Sequence, residues 1–220
     1  PNFSEVKKID NVVFGHTRLA IIDLDKSANQ PMSDVSGRYF IVYNGEIYNF
    51  KEIKKKLLCN GVIFKTNSDT EVILESYKKW DKNCLDFFEG MFAFAIWDKK
   101  LKKLFLARDR LGEKPLFYYP YNGKNFNEGI IFSSELRALL KHPNVQFKIS
   151  DQGIWEYLSL NYILGNSCII KGVKKLEPAH FMTIERNKCS LKKYWHLKNF
   201  FINKKKYASK NEALDEFKSL

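Results

Sequence analysis

The chain has 220 residues, 45% hydrophobic and 15% aromatic, which suits one large globular domain, or one domain plus an appendage, and excludes a disordered chain. Its formal charge of +12 is almost all lysine, in scattered runs such as Lys54-Lys55-Lys56 and Lys204-Lys205-Lys206; this reads as a solvated surface, with nucleic-acid binding the weaker alternative. No apolar stretch is long enough to span a bilayer and no secretory signal is visible, so the expectation is a cytoplasmic protein without a membrane or nucleic-acid partner.

In chain order, "VVFGHTRLAII", Val12 to Ile22, reads as a strand broken at Gly15-His16-Thr17-Arg18. Tyr39 to Tyr43 is an aromatic and β-branched run of the kind that forms a buried strand. It meets Asn44-Gly45-Glu46, where two readings stand: a tight hairpin turn, or a strand end presenting hydrogen-bond donors to a ligand. Ile53, Leu57 and Leu58 recur at helical spacing within a helix near Lys51 to Asn60 that stops at Gly61. Ser68-Asp69-Thr70-Glu71 has the pattern of a capping box, and Ile73, Tyr77 and Trp80 continue one helical face. Met91 to Trp97 and Leu104 to Ala107 read as an antiparallel pair buried on one face or both. Strands are expected at Pro115 to Tyr119 and Ile130 to Ser133 around a Gly-Asn loop, and helices at Glu135 to Lys141 and Asp151 to Leu160. After Tyr194-Trp195 lysine and asparagine dominate, and Ser209 with Glu212 opens one more capped helix. Antiparallel pairs mixed with helices argue for α+β layers rather than alternating βαβ units.

Cys59, Cys84, Cys168 and Cys189 lack metal-ligand spacing and read as free thiols, Cys59 and Cys84 as core residues. His16, His142, His180 and His196 are dispersed and form no metal pattern. No G-x-G dinucleotide loop, phosphate loop or G-x-S-x-G elbow is present. What remains is a set of polar residues at element ends: Arg18, Asn44, Gly45, Glu46 and Asp69. One cation, one amide beside a backbone N–H and two carboxylates could hold an amino acid and stabilise an oxyanion. Each also has a plain reading: Arg18 as a surface arginine, Glu46 as a solvated acid, Asp69 as a complement to a helix dipole.

"GHTRLAIID", "YNGEIYNF", "SDTEVIL", "GMFAFAIWD", "ARDRLGEKPLFYY" and "SSELRALL" occur in this order. From about Phe14 to Trp195 the chain thereby resembles the glutamine amidotransferase domain of glutamine-hydrolysing asparagine synthetases, a class II amidotransferase. The resemblance implies an α+β N-terminal-nucleophile hydrolase-like fold, an αββα four-layer sandwich with two antiparallel sheets, here N-terminally truncated. It implies that Arg18 holds the glutamine α-carboxylate, that the backbone from Leu19 to Ile22 lines the pocket, that Asn44 and Gly45 form the oxyanion hole, and that Glu46 and Asp69 receive the α-ammonium.

The same resemblance implies a cysteine nucleophile at the mature N-terminus, whereas residue 1 is proline and none of the four cysteines matches that position. The expectation is a fragment without glutaminase activity of its own: residues 1–196 a partial amidotransferase domain, and 197–220 a linker and first helix leading to an absent synthetase domain. In the whole protein, glutamine hydrolysis would supply ammonia for amidation of aspartate, with ATP and magnesium acting in the synthetase domain and no cofactor or metal in this one. Glutamine and that domain are the implied partners, with a homodimer possible. Leu106 to Tyr119 and "FSSELRALL" are candidates to border the domain contact and ammonia path. The rival readings are an amidotransferase acting on another acceptor, a sugar or a peptide, and a degenerate domain that binds glutamine without hydrolysing it.

Overall fold

A computed structural model describes residues 3–19, 22–121, 126, 128–186, 188–202 and 206–219. The chain opens with a hairpin of β1 (Phe3–Ile9) and β2 (Val12–Arg18), turning at Asp10 with φ 53°. β2 runs unbroken through Gly15 to Arg18, contrary to the interruption expected there, because every residue of it pairs with β1. Ala20 and Ile21, in the expected Leu19 to Ile22 segment, lie outside the described residues, as do Pro1, Lys204, Lys205 and most of the loop before β8.

β3 (Met32–Ser33) leads into β4 (Tyr39–Ile47), followed by α1 (Phe50–Cys59) and α2 (Asp69–Trp80). β5 (Gly90–Asp98) and β6 (Lys103–Arg108) form the expected antiparallel pair. β7 (Phe117–Pro120) and β8 (Ile130–Ser133) precede α3 (Leu136–Leu139), shorter than expected, and α4 (Asp151–Leu160). β9 (Lys174–Lys175), β10 (His180–Glu185), β11 (Lys188–Lys193), α5 (Lys198–Ile202) and α6 (Lys210–Ser219) complete the order.

The central sheet runs β11-β10-β6-β5-β4-β3, all antiparallel. β5 shows why it is buried on both faces. Phe92, Phe94 and Ile96 enter one core with Ile53, Leu57 and Ile73 of α1 and α2. Ala93, Ala95 and Trp97 alternate into a second core with Phe14 of β2 and Tyr118 of β7. A third cluster, with Tyr119, Leu139 and Ile170, continues the packing beyond β7. The layers are therefore helix, sheet, sheet, helix. The second sheet layer is divided: β1-β2 and β8-β7-β9 are separate ladders, bridged by the edge-to-face contact of Phe14 with Phe132 at 5.9 Å.

Two local expectations change. Ser68 caps α2 through the N–H of Thr70, while the Glu71 carboxylate turns back to the N–H groups of Lys65 and Thr66, so the reciprocal capping box does not form. Cys59 is exposed at the end of α1, not core, because the buried stripe there is Ile53 and Leu57; Cys84 is buried as expected, and all four thiols are free. Among the described residues no helix is long and apolar enough to cross a membrane.

Candidate functional site

β4 does not turn at Asn44-Gly45; it continues to Ile47, paired with β5 throughout. Its other edge is the informative one. β3 covers only Phe40 and Ile41. Beyond it, side chains replace the missing strand. The Tyr43 N–H donates to Gln30 Oε1 at 2.6 Å, His16 Nε2 meets the Tyr43 carbonyl at 3.0 Å, and the Ile47 N–H donates to Asp69 Oδ2 at 3.1 Å. In an antiparallel strand, alternate residues direct N–H and C=O to the same edge, so Gly45 shares this edge with Tyr43 and Ile47. Opposite Gly45, the main-chain groups of Phe92 turn away to Asp109, consistent with that alternation. By that alternation the Gly45 N–H belongs to the open edge, and Gly45 lines a cavity of about 230 Å³ there.

Glycine is required at 45. Its φ is +151°, and an added Cβ would lie 2.7 Å from Phe92 Cα and closer still to the Met91 carbonyl. Asn44 beside it is exposed and Glu46 half-buried. Asp69, in the first turn of α2, is 5% exposed and accepts from the Tyr43 hydroxyl at 2.8 Å. Burial pushes its carboxyl above the usual range, more than the hydrogen bonds from Ile47 and Tyr43 pull it down.

Arg18 closes the opposite side. Phe14, His16 and Arg18 share the inward face of β2. Arg18 is only 8% exposed, so it is not a surface arginine on an edge strand. Its guanidinium donates to the carbonyls of Asp23 and Asp25 and to Asn29 Oδ1. These acceptors are uncharged, and no ion pair neutralises Arg18 among the described residues.

Arg18, Leu19, Ile22, Asn44, Gly45, Glu46 and Asp69 all line this one cavity. Sequence reasoning missed further residues on its wall, among them His16, Gln30, Tyr43 and Lys114. Gln30 had no signal, while His16, Tyr43 and Lys114 lie inside the blocks "GHTRLAIID", "YNGEIYNF" and "ARDRLGEKPLFYY". The loop of the last block is held by Asp109, whose carboxylate accepts from the N–H groups of Phe92, Leu111, Gly112, Glu113 and Lys114. Within the expected contact stretch Leu106 to Tyr119, residues 106–109 are buried, so only its loop reaches the surface. Among the described residues no group of His, Cys, Asp or Glu is arranged to hold a metal ion. A cation, two carboxylates and an outward N–H around one small cavity can hold a zwitterion and stabilise charge on a carbonyl oxygen.

The chain is similar to known proteins. The family described as "Glutamine amidotransferase domain" matches residues 1–195. Asparagine synthetase [glutamine-hydrolyzing] 3 of Bacillus subtilis is 39% identical over 202 residues, 90% of this chain and 32% of that protein. Putative asparagine synthetase [glutamine-hydrolyzing] 2 of Methanocaldococcus jannaschii is 37% identical over 228 residues, 96% of this chain and 42% of its own length. Amidase chry2 of Gibberella zeae is 31% identical over 85% of this chain and 26% of that protein. The chain therefore spans less than half the length of these relatives. Among solved structures, the glutamine phosphoribosylpyrophosphate amidotransferase of B. subtilis superposes with a TM-score of 0.56 at 21% identity, over 83% of this chain and 35% of that one. This likeness shows the fold, the α+β N-terminal-nucleophile architecture expected from the sequence. The chain belongs to the class II glutamine amidotransferase domain family.

Proposed function

We propose that the cavity binds glutamine and positions its side-chain amide for hydrolysis to glutamate and ammonia. The observation that carries this reading is the convergence of Arg18, Asn44, Gly45, Glu46 and Asp69, from separate segments, on one cavity beside the open edge of β4. Arg18 attracts the α-carboxylate, its guanidinium having no ion pair among the described residues. Glu46 and Asp69 receive the α-ammonium. The Asn44 amide and Gly45 N–H stabilise the oxyanion of the tetrahedral intermediate.

The attack itself needs a nucleophile. None of Cys59, Cys84, Cys168 and Cys189 lines the cavity. The Ser68 hydroxyl accepts from the Thr70 N–H and the Thr70 hydroxyl from the Gln30 amide, while Thr17 sits at the rim on the exposed face of β2, opposite His16 and Arg18. On this reading the nucleophile comes from outside these 220 residues, in keeping with the N-terminal cysteine implied by the family resemblance. Residues 1–196 are the glutaminase module, and 197–220 lead toward a synthetase module that uses ATP and magnesium to amidate aspartate in the cytoplasm. The named functions of the B. subtilis and M. jannaschii relatives support aspartate as acceptor; the similarity to an amidase keeps a different acceptor as the second reading.

Calorimetric titration of the 220-residue chain with glutamine tests the site, and an ammonia assay tests the nucleophile. Expected are heat of binding and no ammonia above the blank. No binding would overturn the site assignment; ammonia release would overturn an external nucleophile.

A further inference from the structure

His16 lies between the two halves of the pocket and has no part in the reading above. Two residues before Arg18 on the inward face of β2, it reaches across to the Tyr43 carbonyl, 3.0 Å from Nε2. Its Nδ1 is buried and has no hydrogen-bond partner. These two facts point to one protonation state of the ring. With the hydrogen on Nδ1, that donor would be buried without an acceptor, and the bare Nε2 would face the carbonyl lone pairs. With hydrogens on both nitrogens, a charge would sit beside Arg18 with Nδ1–H unsatisfied. Only the neutral ring with Nε2–H leaves no donor stranded. Burial lowers the affinity of His16 for a second proton, the Tyr43 carbonyl opposes this, and Arg18 adds to it, leaving the ring below its ordinary value.

We propose that His16 is a positioning residue of the glutamine pocket: its Nε2–H replaces the ladder bond that β3 no longer supplies at Tyr43, and so fixes the Tyr43–Asn44 peptide against the strand that carries Arg18. The Tyr43 carbonyl and the Asn44 N–H belong to one rigid peptide plane, so holding the carbonyl orients the backbone entering Asn44-Gly45. Phe14, packed into the second core, anchors the same strand face. One imidazole therefore ties the strand of the carboxylate-attracting cation directly to the strand of the oxyanion donors.

This inference rests on the glutamine reading, and the test separates the two. His16→Gln places an amide N–H at about the depth of Nε2; His16→Leu has similar bulk and no donor. In calorimetry on the full 220-residue chain, at a temperature where circular dichroism shows all forms folded, His16→Leu is expected to weaken glutamine binding about tenfold, the worth of one well-placed hydrogen bond, and His16→Gln no more than about threefold. Equal binding by His16→Leu and the unsubstituted chain, or equal loss in both variants, would overturn the proposal. A purely structural role would lower the melting temperature without this rescue pattern. Long-range proton–nitrogen NMR of the unsubstituted chain should show Nε2 protonated and Nδ1 bare at neutral pH. A hydrogen on Nδ1 would overturn the proposal even if His16→Leu fails to fold. Absence of glutamine binding by the unsubstituted chain sinks the glutamine reading instead, and the ring spectrum still decides the His16 bond.

Discussion

The two walls of the cavity are built differently. On one, Tyr43, Gly45 and Ile47 sit in a strand paired along its length with β5, and Asp69 is locked under Tyr43 and Ile47. On the other, Arg18 ends a hairpin whose outer face exposes Val6 and Val13, and its guanidinium rests on the carbonyls of an irregular segment. The difference follows the physics of the two tasks. A hydrogen bond to a developing oxyanion weakens steeply with distance and angle, so its donors belong on the fastened wall. Attraction between charges falls off slowly, so a cation can work from a looser one.

Substitutions can break this contrast. The largest effect is expected from Gly45→Ala on the fastened wall. Positive φ and the approach of Phe92 Cα together predict a loss of roughly 4 kcal/mol of folding stability, read from urea unfolding. A wild-type midpoint would show that the wall is not fastened. Next is Arg18→Ala, expected to cost roughly 3 kcal/mol of glutamine affinity by calorimetry, because it removes the cavity's buried cation. Unchanged affinity would move the carboxylate elsewhere, to Lys114 first. Tyr43→Phe should cost about 1–2 kcal/mol of stability, since Asp69 loses a donor while staying buried.

The smallest effect is a difference in pH response between two carboxylates. Asp69 is raised by burial above its ordinary value of 3.8, so its favourable contribution to the fold is full below 3.8 and lost as pH rises through the raised value. Asp98 behaves oppositely. Burial pushes it up, but the Arg38 guanidinium at 2.6 and 2.9 Å and the N–H groups of Leu101 and Lys100 bring it below 3.8. Its contribution is present above 3.8 and lost as pH falls through the lowered value. Asp98→Asn should flatten the acid limb of a stability–pH curve, and Asp69→Asn should flatten the loss above 3.8. The reverse assignment of those limbs would contradict the structure.

Much of this was legible in the chain itself. The apolar runs of β5 and β6 and the periodicity of α1, α2 and α4 placed those elements. The β1-β2 pairing was not, because Phe3–Ile9 alternates with lysines and glutamate and looks like solvated surface until its partner strand is known. β11 was hidden for the same reason, and β10 because its largely apolar stretch, Phe181 to Ile184, is only four residues long. At the site, Arg18, Gly45 and Asp69 stood out by residue type, but their convergence depends on a chain fold that spacing cannot encode. His16 and Gln30 act through main-chain groups of Tyr43, a role that carries no sequence signature.

Asp109 gathers main-chain N–H groups from Leu111 through Lys114 onto one carboxylate, and Arg108 clasps the carbonyls of Gly112 and Lys114 from the other side. A solvent-facing loop tied in this way should be silent in deuterium uptake. Its amides would exchange on the schedule of the central sheet rather than of a loop, opening only when the sheet itself opens.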